Sequence, residues 1–133
     1  MMLYSIDRRT RSETLVDDAL DVQTIRTPKR VIVRVTGDAG LTNIARLEAE
    51  LSSVVSERPA VVIVDLTDLT FIASRGMGAL MSFHRRMQLQ KSVVRVASPQ
   101  SRVRDALEIA RLHTVLEMYD SLEAALKGKA QAP

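Results

Sequence analysis

The strongest feature in the pattern of apolar and polar positions is the run Val-Val-Ile-Val at 61–64, four consecutive β-branched residues. Such a run predicts a strand buried on both faces, as in a parallel sheet with helices packed over it. Asp65 and Asp68 end it, and a short apolar piece follows at 70–72. Beyond that, Met77, Leu80, Phe83, His84 and Met87 recur at helical spacing behind Ser74, which stands where a helix N-cap belongs. The unit reads as strand, loop and helix, with one serine hydroxyl presented at the helix N-terminus.

The remaining pattern extends this unit in both directions. Residues 20–26 predict an edge strand, Thr27-Pro28-Lys29-Arg30 a turn, and 31–35 the returning strand of a hairpin. Gly37-Asp38-Ala39-Gly40 reads as a flexible loop. Thr42 or Asn43 then caps a helix running to about Ser56, with Ile44, Leu47, Leu51, Val54 and Val55 inward and Glu57-Arg58-Pro59 at its end. After the central unit come a strand at 93–97 and a helix begun by Ser98-Pro99, with Val103, Ala106, Leu107 and Ala110 inward. A strand at 115–119 and a helix at 121–126, capped by Asp120 or Ser121, complete the order. Residues 1–19 show no sustained period and read as a loosely ordered arm in which Ser12 or Thr14 can cap a short helix, and 127–133 as a fraying tail. The expected architecture is a single α/β domain over 20–126, a mixed β-sheet of about five strands with about four helices and right-handed crossovers.

Composition narrows the classes of function. A chain of 133 residues with 46% hydrophobic content suits one domain, large enough to bury roughly two thirds of its unfolded surface. It has no cysteine, which excludes a disulfide framework and cysteine-based metal or redox chemistry and fits a reducing, cytoplasmic setting. No apolar run approaches the ~20 residues of a spanning helix, and Arg8, Arg9 and Arg11 are not followed by the apolar core of a secretory signal. A net charge of +3 raises nucleic-acid binding. The basic residues are scattered among 16 acidic ones, with two Tyr and two Phe for stacking, so a solvated basic surface is the expectation and no nucleic-acid partner.

In such sheets the loops after the strands collect at one edge, here 37–42, 66–74 and 97–100. Candidate chemistry elsewhere is thin. His84 reads as a satisfied histidine at the core edge, and His113 as a contact to a helix C-terminus. With no neighbouring ligands no metal site is expected. Ser, His and Asp lack nucleophile-elbow spacing, so no catalytic residue is expected. Gly76 and Gly78 read as close-packing residues, since no Gly-Lys phosphate loop follows. Asp65 resembles in position the acceptor of response-regulator receivers, but Val35-Thr36-Gly37 and Tyr119-Asp120 supply neither the acidic pair nor the lysine of such a site. It reads instead as a loop residue bonding local amides.

Residues 62–66, Val-Ile-Val-Asp-Leu, and 71–80, Phe-Ile-Ala-Ser-Arg-Gly-Met-Gly-Ala-Leu, resemble the STAS domain of bacterial anti-sigma factor antagonists. In that family a strand ending in Asp-Leu precedes an apolar pair, then Asp-Ser-Ser-Gly and a helix start of small residues. The resemblance covers about 20–126 and implies the STAS fold. It also implies no enzymatic activity, no cofactor, and a partner that is both anti-sigma factor and serine kinase. By motif the phosphorylated serine falls on Ser74, and a metal-dependent phosphatase resets the switch. The partner-binding set this implies is Asp38, Thr42, Asn43, Ala73, Ser74, Arg75, Gly76 and Met77. Ala73 stands where the family usually has Asp, Arg75 where it often has a second Ser, and Gly40 where an Asp is common.

Two readings of Ser74 stand side by side. As a cap it stabilises its helix by ~1 kcal/mol. As a phosphoacceptor it places nearly two negative charges at the positive end of a helix, where free amides hold them without unfolding it.

Overall fold

The computed structural model describes residues 20–40 and 42–128; the arm expected at 1–19, with its Ser12 or Thr14 cap, and the tail from 129 onward lie outside them. The N-terminal hairpin sets the sheet. Strand β1 (Leu20–Arg26) pairs antiparallel with β2 (Val31–Ala39), Leu20 opposite Gly37 and Arg26 opposite Val31. Strand β3 (Val61–Asp65) adds parallel to β2, β5 (Val93–Ala97) parallel to β3, and β6 (Glu117–Tyr119) parallel to β5. The path is β1-β2-β3-β5-β6, and a sixth strand, β4 (Leu69–Ile72), pairs parallel with the far end of β2. Four helices join these strands: α1 (Ile44–Glu57), α2 (Ser74–Leu89), α3 (Ser101–Ile109) and α4 (Leu122–Lys127).

The apolar run at 61–64 does what its composition dictates: Val62, Ile63 and Val64 are fully buried in the middle of the sheet. Alternation divides it between two cores. Val62 and Val64 join Val33, Leu47, Leu51, Leu80, Phe83 and Val103 under α1, α2 and α3, while Ile63 faces Ala97, Tyr119 and Ala125 under the short α4. Three helices therefore cover one face and one covers the other.

Several expectations are corrected. Gly37, Asp38 and Ala39 are not a flexible loop but the last residues of β2, because Leu69, Phe71 and Ile72 offer them a parallel partner. The register slips between Gly37 and Asp38, where Gly37 takes a φ of 100° that glycine tolerates. Helix α3 begins at Ser101 behind Gln100, not at Ser98-Pro99, because the Ser98 amide is drawn to the Tyr119 carbonyl at 2.8 Å. Ala110 is exposed past the helix end. Val115 lies outside β6: it follows a 3-10 turn at Leu112–Thr114, and its amide and that of Leu116 both bond to the Leu112 carbonyl. Lys127 belongs to α4, not to a tail, and Ser121 caps that helix by accepting from the Ala124 amide at 3.0 Å. His84 is half-buried, but among the described residues its buried Nδ1 has no hydrogen-bond partner, so it is not the satisfied histidine expected.

Candidate functional site

The three loops expected at the C-terminal edge of the sheet are bonded to one another. Gly37 N donates to Asp68 O, Leu66 N to Ala97 O and Ala73 N to Ala39 O, each at 2.9 Å. Gln100 Nε2 reaches Thr67 O at 2.9 Å, and Thr70 Oγ1 reaches Gly37 O at 2.8 Å. Beneath them Asp65, 2% exposed at the end of β3, accepts from Thr67 N at 3.1 Å and Thr67 Oγ1 at 2.6 Å. The local bonding expected of Asp65 is present; its place in the strand and its pairing with Arg34 Nε at 3.2 Å were not foreseen.

Helices α1, α2 and α3 all start at this edge, and their first turns share a composition. Their N-cap residues Asn43, Ala73 and Gln100 make no side-chain cap bond, and no acidic residue occupies any of the three first turns. Arg46, Arg75 and Arg102 stand there instead. Helix α4 has the opposite design, with Ser121 as cap and Glu123 in its first turn. Free amides and the positive ends of three macrodipoles thus point toward one edge, with three guanidiniums beside them. Arg46 is partly offset by Asp21 at 3.1 Å, and Arg75 by Glu48 at 3.9 Å.

Ser74 is not the cap expected. Ala73 holds that position with extended backbone (φ −89°, ψ 172°), and Met77 N bonds to its carbonyl at 3.0 Å, so Ser74 is the first helical residue and is exposed. The expected set divides into two groups. Thr42, Ser74 and Arg75 present exposed side chains. Asp38, Ala73 and Met77 are half-buried, and Asn43 and Gly76 are buried. Neither Thr42 nor Asn43 caps α1 with its side chain; Asn43 Nδ2 donates to Asp38 O at 2.9 Å, tying β2 to the helix start, and its Oδ1 has no partner among the described residues. Gly76 is required by packing, since a Cβ there would meet Ile72 Cγ1 at 2.8 Å. Gly78 is not, since a Cβ there meets nothing within 4 Å among the described residues, which corrects the close-packing expectation at that position. Glu48 and Gln100 join the site without having been singled out. Glu48 was detectable as a polar position on a helix otherwise read for its apolar face.

The arrangement is a single α/β domain with a mixed six-stranded sheet, four helices, and three helix starts gathered at one bonded edge. A family model described as the STAS domain matches residues 20–125, and the chain belongs to the STAS domain family. Among solved structures it is similar to an anti-sigma factor antagonist from Mycobacterium paratuberculosis, with a TM-score of 0.78 and 19% identity over 86% of this chain and 97% of that one. It is also similar to the anti-sigma factor antagonist SpoIIAA in its unphosphorylated form (TM-score 0.68, 18% identity, 85% and 100% covered). The Bacillus cell fate determinant SpoIIAA in the phosphorylated form follows with a TM-score of 0.63 and 18% identity over 82% and 97%. The likeness at these identities is one of fold. Comparison with curated protein sequences gives no match. Among the described residues, no helix is long and apolar enough to cross a membrane, and no group of three or more His, Cys, Asp or Glu is placed to hold a metal.

Proposed function

We propose that the protein is an anti-sigma factor antagonist that binds its partner, an anti-sigma factor with serine kinase activity, through the edge carrying Ser74, and that phosphorylation of Ser74 switches this binding off. A metal-dependent phosphatase resets the switch, and the cycle runs in the cytoplasm with no nucleic acid or membrane as partner. The observation that carries the reading is the exposed Ser74 hydroxyl at the first position of α2, on an edge where three helix starts lack acidic residues and cap bonds. A phosphoryl group there adds about 1.5 to 2 negative charges and is held by free amides and by neighbouring guanidiniums, Arg75 first, without unfolding the helix. It would occupy the donors that an acidic partner surface needs and would repel that surface, which is how a local charge becomes a binding switch.

Mass spectrometry of the protein after incubation with its cognate kinase and ATP tests the modification, and titrations of two variants test the switch. Ser74→Asp should weaken partner binding with the melting temperature unchanged or slightly raised, because an acid in the first turn suits the helix dipole. Ser74→Ala should bind and resist modification. Phosphate found only elsewhere, together with both variants binding like the parent, would remove Ser74 from the mechanism.

A further inference from the structure

A groove of about 440 Å³ runs between α1 and α2, starting beside Ser74 and continuing down the helix pair away from the sheet edge. Its floor is Leu51, Ala79 and Phe83, and on its α2 side Arg75, Gly78, Ser82 and Arg86 fall one turn apart along a single stripe. Glycine within a helix is less favourable than alanine by up to about 1 kcal/mol, and packing explains it where a Cβ would collide. At Gly78 it would collide with nothing among the described residues. The missing side chain leaves the groove open from outside. Arg86 is held in place by a bond to Ser52 Oγ at 3.0 Å and has a neutral partner there, while Arg75 faces Glu48 at the upper end. Among the described lining residues two guanidiniums stand against one carboxylate, a net positive balance, and their separation of eleven positions spans about 16 Å along the helix axis.

We infer that this groove receives an acidic amphipathic helix of a partner protein, laid along α2 with small apolar side chains over Gly78 and Ala79 and its strongest carboxylate contact at Arg86. The fit is that of a helix in a groove, with the side-chain row on the partner giving the area and the two charges setting its register. The inference rests on the reading of the chain as a protein-binding module and extends the interface well below Ser74.

The probe is a synthetic helical peptide of alanine and leucine on one face, with two glutamates spaced as Arg75 and Arg86 are, and a control with glutamines in their place. Binding is followed by fluorescence anisotropy and by amide chemical shifts of the full-length protein. The glutamate peptide should bind saturably, at least about tenfold more tightly than the control, with shifts centred on Ser52, Gly78, Ser82 and Arg86. Gly78→Leu should melt at or above the parent temperature, since leucine favours the helix and its Cβ meets no atom of the described residues within 4 Å, yet lose binding by about tenfold or more. Arg86→Glu should lose it similarly. Equal binding of both peptides, or parent-like binding by Gly78→Leu, would overturn the inference. Self-association abolished by Gly78→Leu would assign the groove to a second copy and overturn it too. Shifts at the same amides on Leu15→Asp without peptide would give it to residues 1–19, with the same result. Ser74→Asp separates this from the switch: if it binds the anti-sigma factor like the parent while Gly78→Leu fails to bind the peptide, the groove stands and the switch falls, and the converse pair of results does the reverse.

Discussion

Gly76 and Gly78 sit two residues apart on α2 and are small for different reasons. The first is fixed from inside by Ile72 and Ile44, so that the helix start lies close against β4 and α1. The second faces outward over the groove. Tyr119 is another residue whose environment sets its behaviour. It is 1% exposed, and its hydroxyl donates to Glu117 Oε1 at 2.8 Å. Burial, and then this bond to a carboxylate, raise its pKa above the ordinary tyrosine value. Below about pH 10 folded and unfolded states both keep the proton, and the contribution of the neutral phenol to stability is complete. As pH rises further the unfolded chain releases its proton first, so that stability falls until the folded phenol also titrates. Urea melts from about pH 9 to about pH 11 should therefore show a decline that is smaller in Tyr119→Phe. Equal slopes in the two proteins would show that the phenol is not the titrating group.

Elements were legible in proportion to their length and period. Helix α1 and helix α2 present 14 and 16 residues of helical spacing, and both were read from it to within a residue or two of their ends. β3 declared itself through β-branching. β4 did not, because in its four residues Leu69 and Ile72 are buried while Thr70 and Phe71 are exposed, a pattern too short for alternation to register. Its absence from the sequence reading also turned the end of β2 into a loop. At the site, the gathering of loops and the exposure of Ser74 were legible, whereas the cap position was not, since Ser74 and Ala73 differ by one residue and the chain resolves the choice through the bond from Ala73 N to Ala39 O. That position is testable at the level of the helix. Ala73 has the backbone of an N-cap and a side chain that accepts no bond, so Ala73→Asp should stabilise the protein by about 0.5 to 2 kcal/mol. Chemical denaturation measures it, and a loss of stability would place the helix start elsewhere.

At the scale of the molecule, the two faces of the sheet are unequally covered. The larger core under three helices carries the helix starts that form the proposed binding edge, while α4 closes the other face with its own cap and stays outside that edge. The proposed switch and the proposed groove both belong to the three-helix side. A modification at Ser74 would thus act on charge at the rim of a well-packed layer whose buried residues include Gly76, Leu80 and Phe83.

The bonds that join the loops of this edge, from Gly37 to Asp68, Ala39 to Ala73 and Thr67 to Gln100, bear on how fast it can be used. An interface whose backbone is already fixed has no rearrangement to complete before or after encounter. In stopped-flow mixing, the observed rate of complex formation should rise in proportion to partner concentration with no plateau, and it should fall with added salt because oppositely charged surfaces steer the encounter. A saturating rate would reveal a slow opening step and overturn this expectation. Signalling through such an edge would be timed by how long the complex lasts and how quickly the phosphoryl group comes and goes, with the shape of the domain constant throughout.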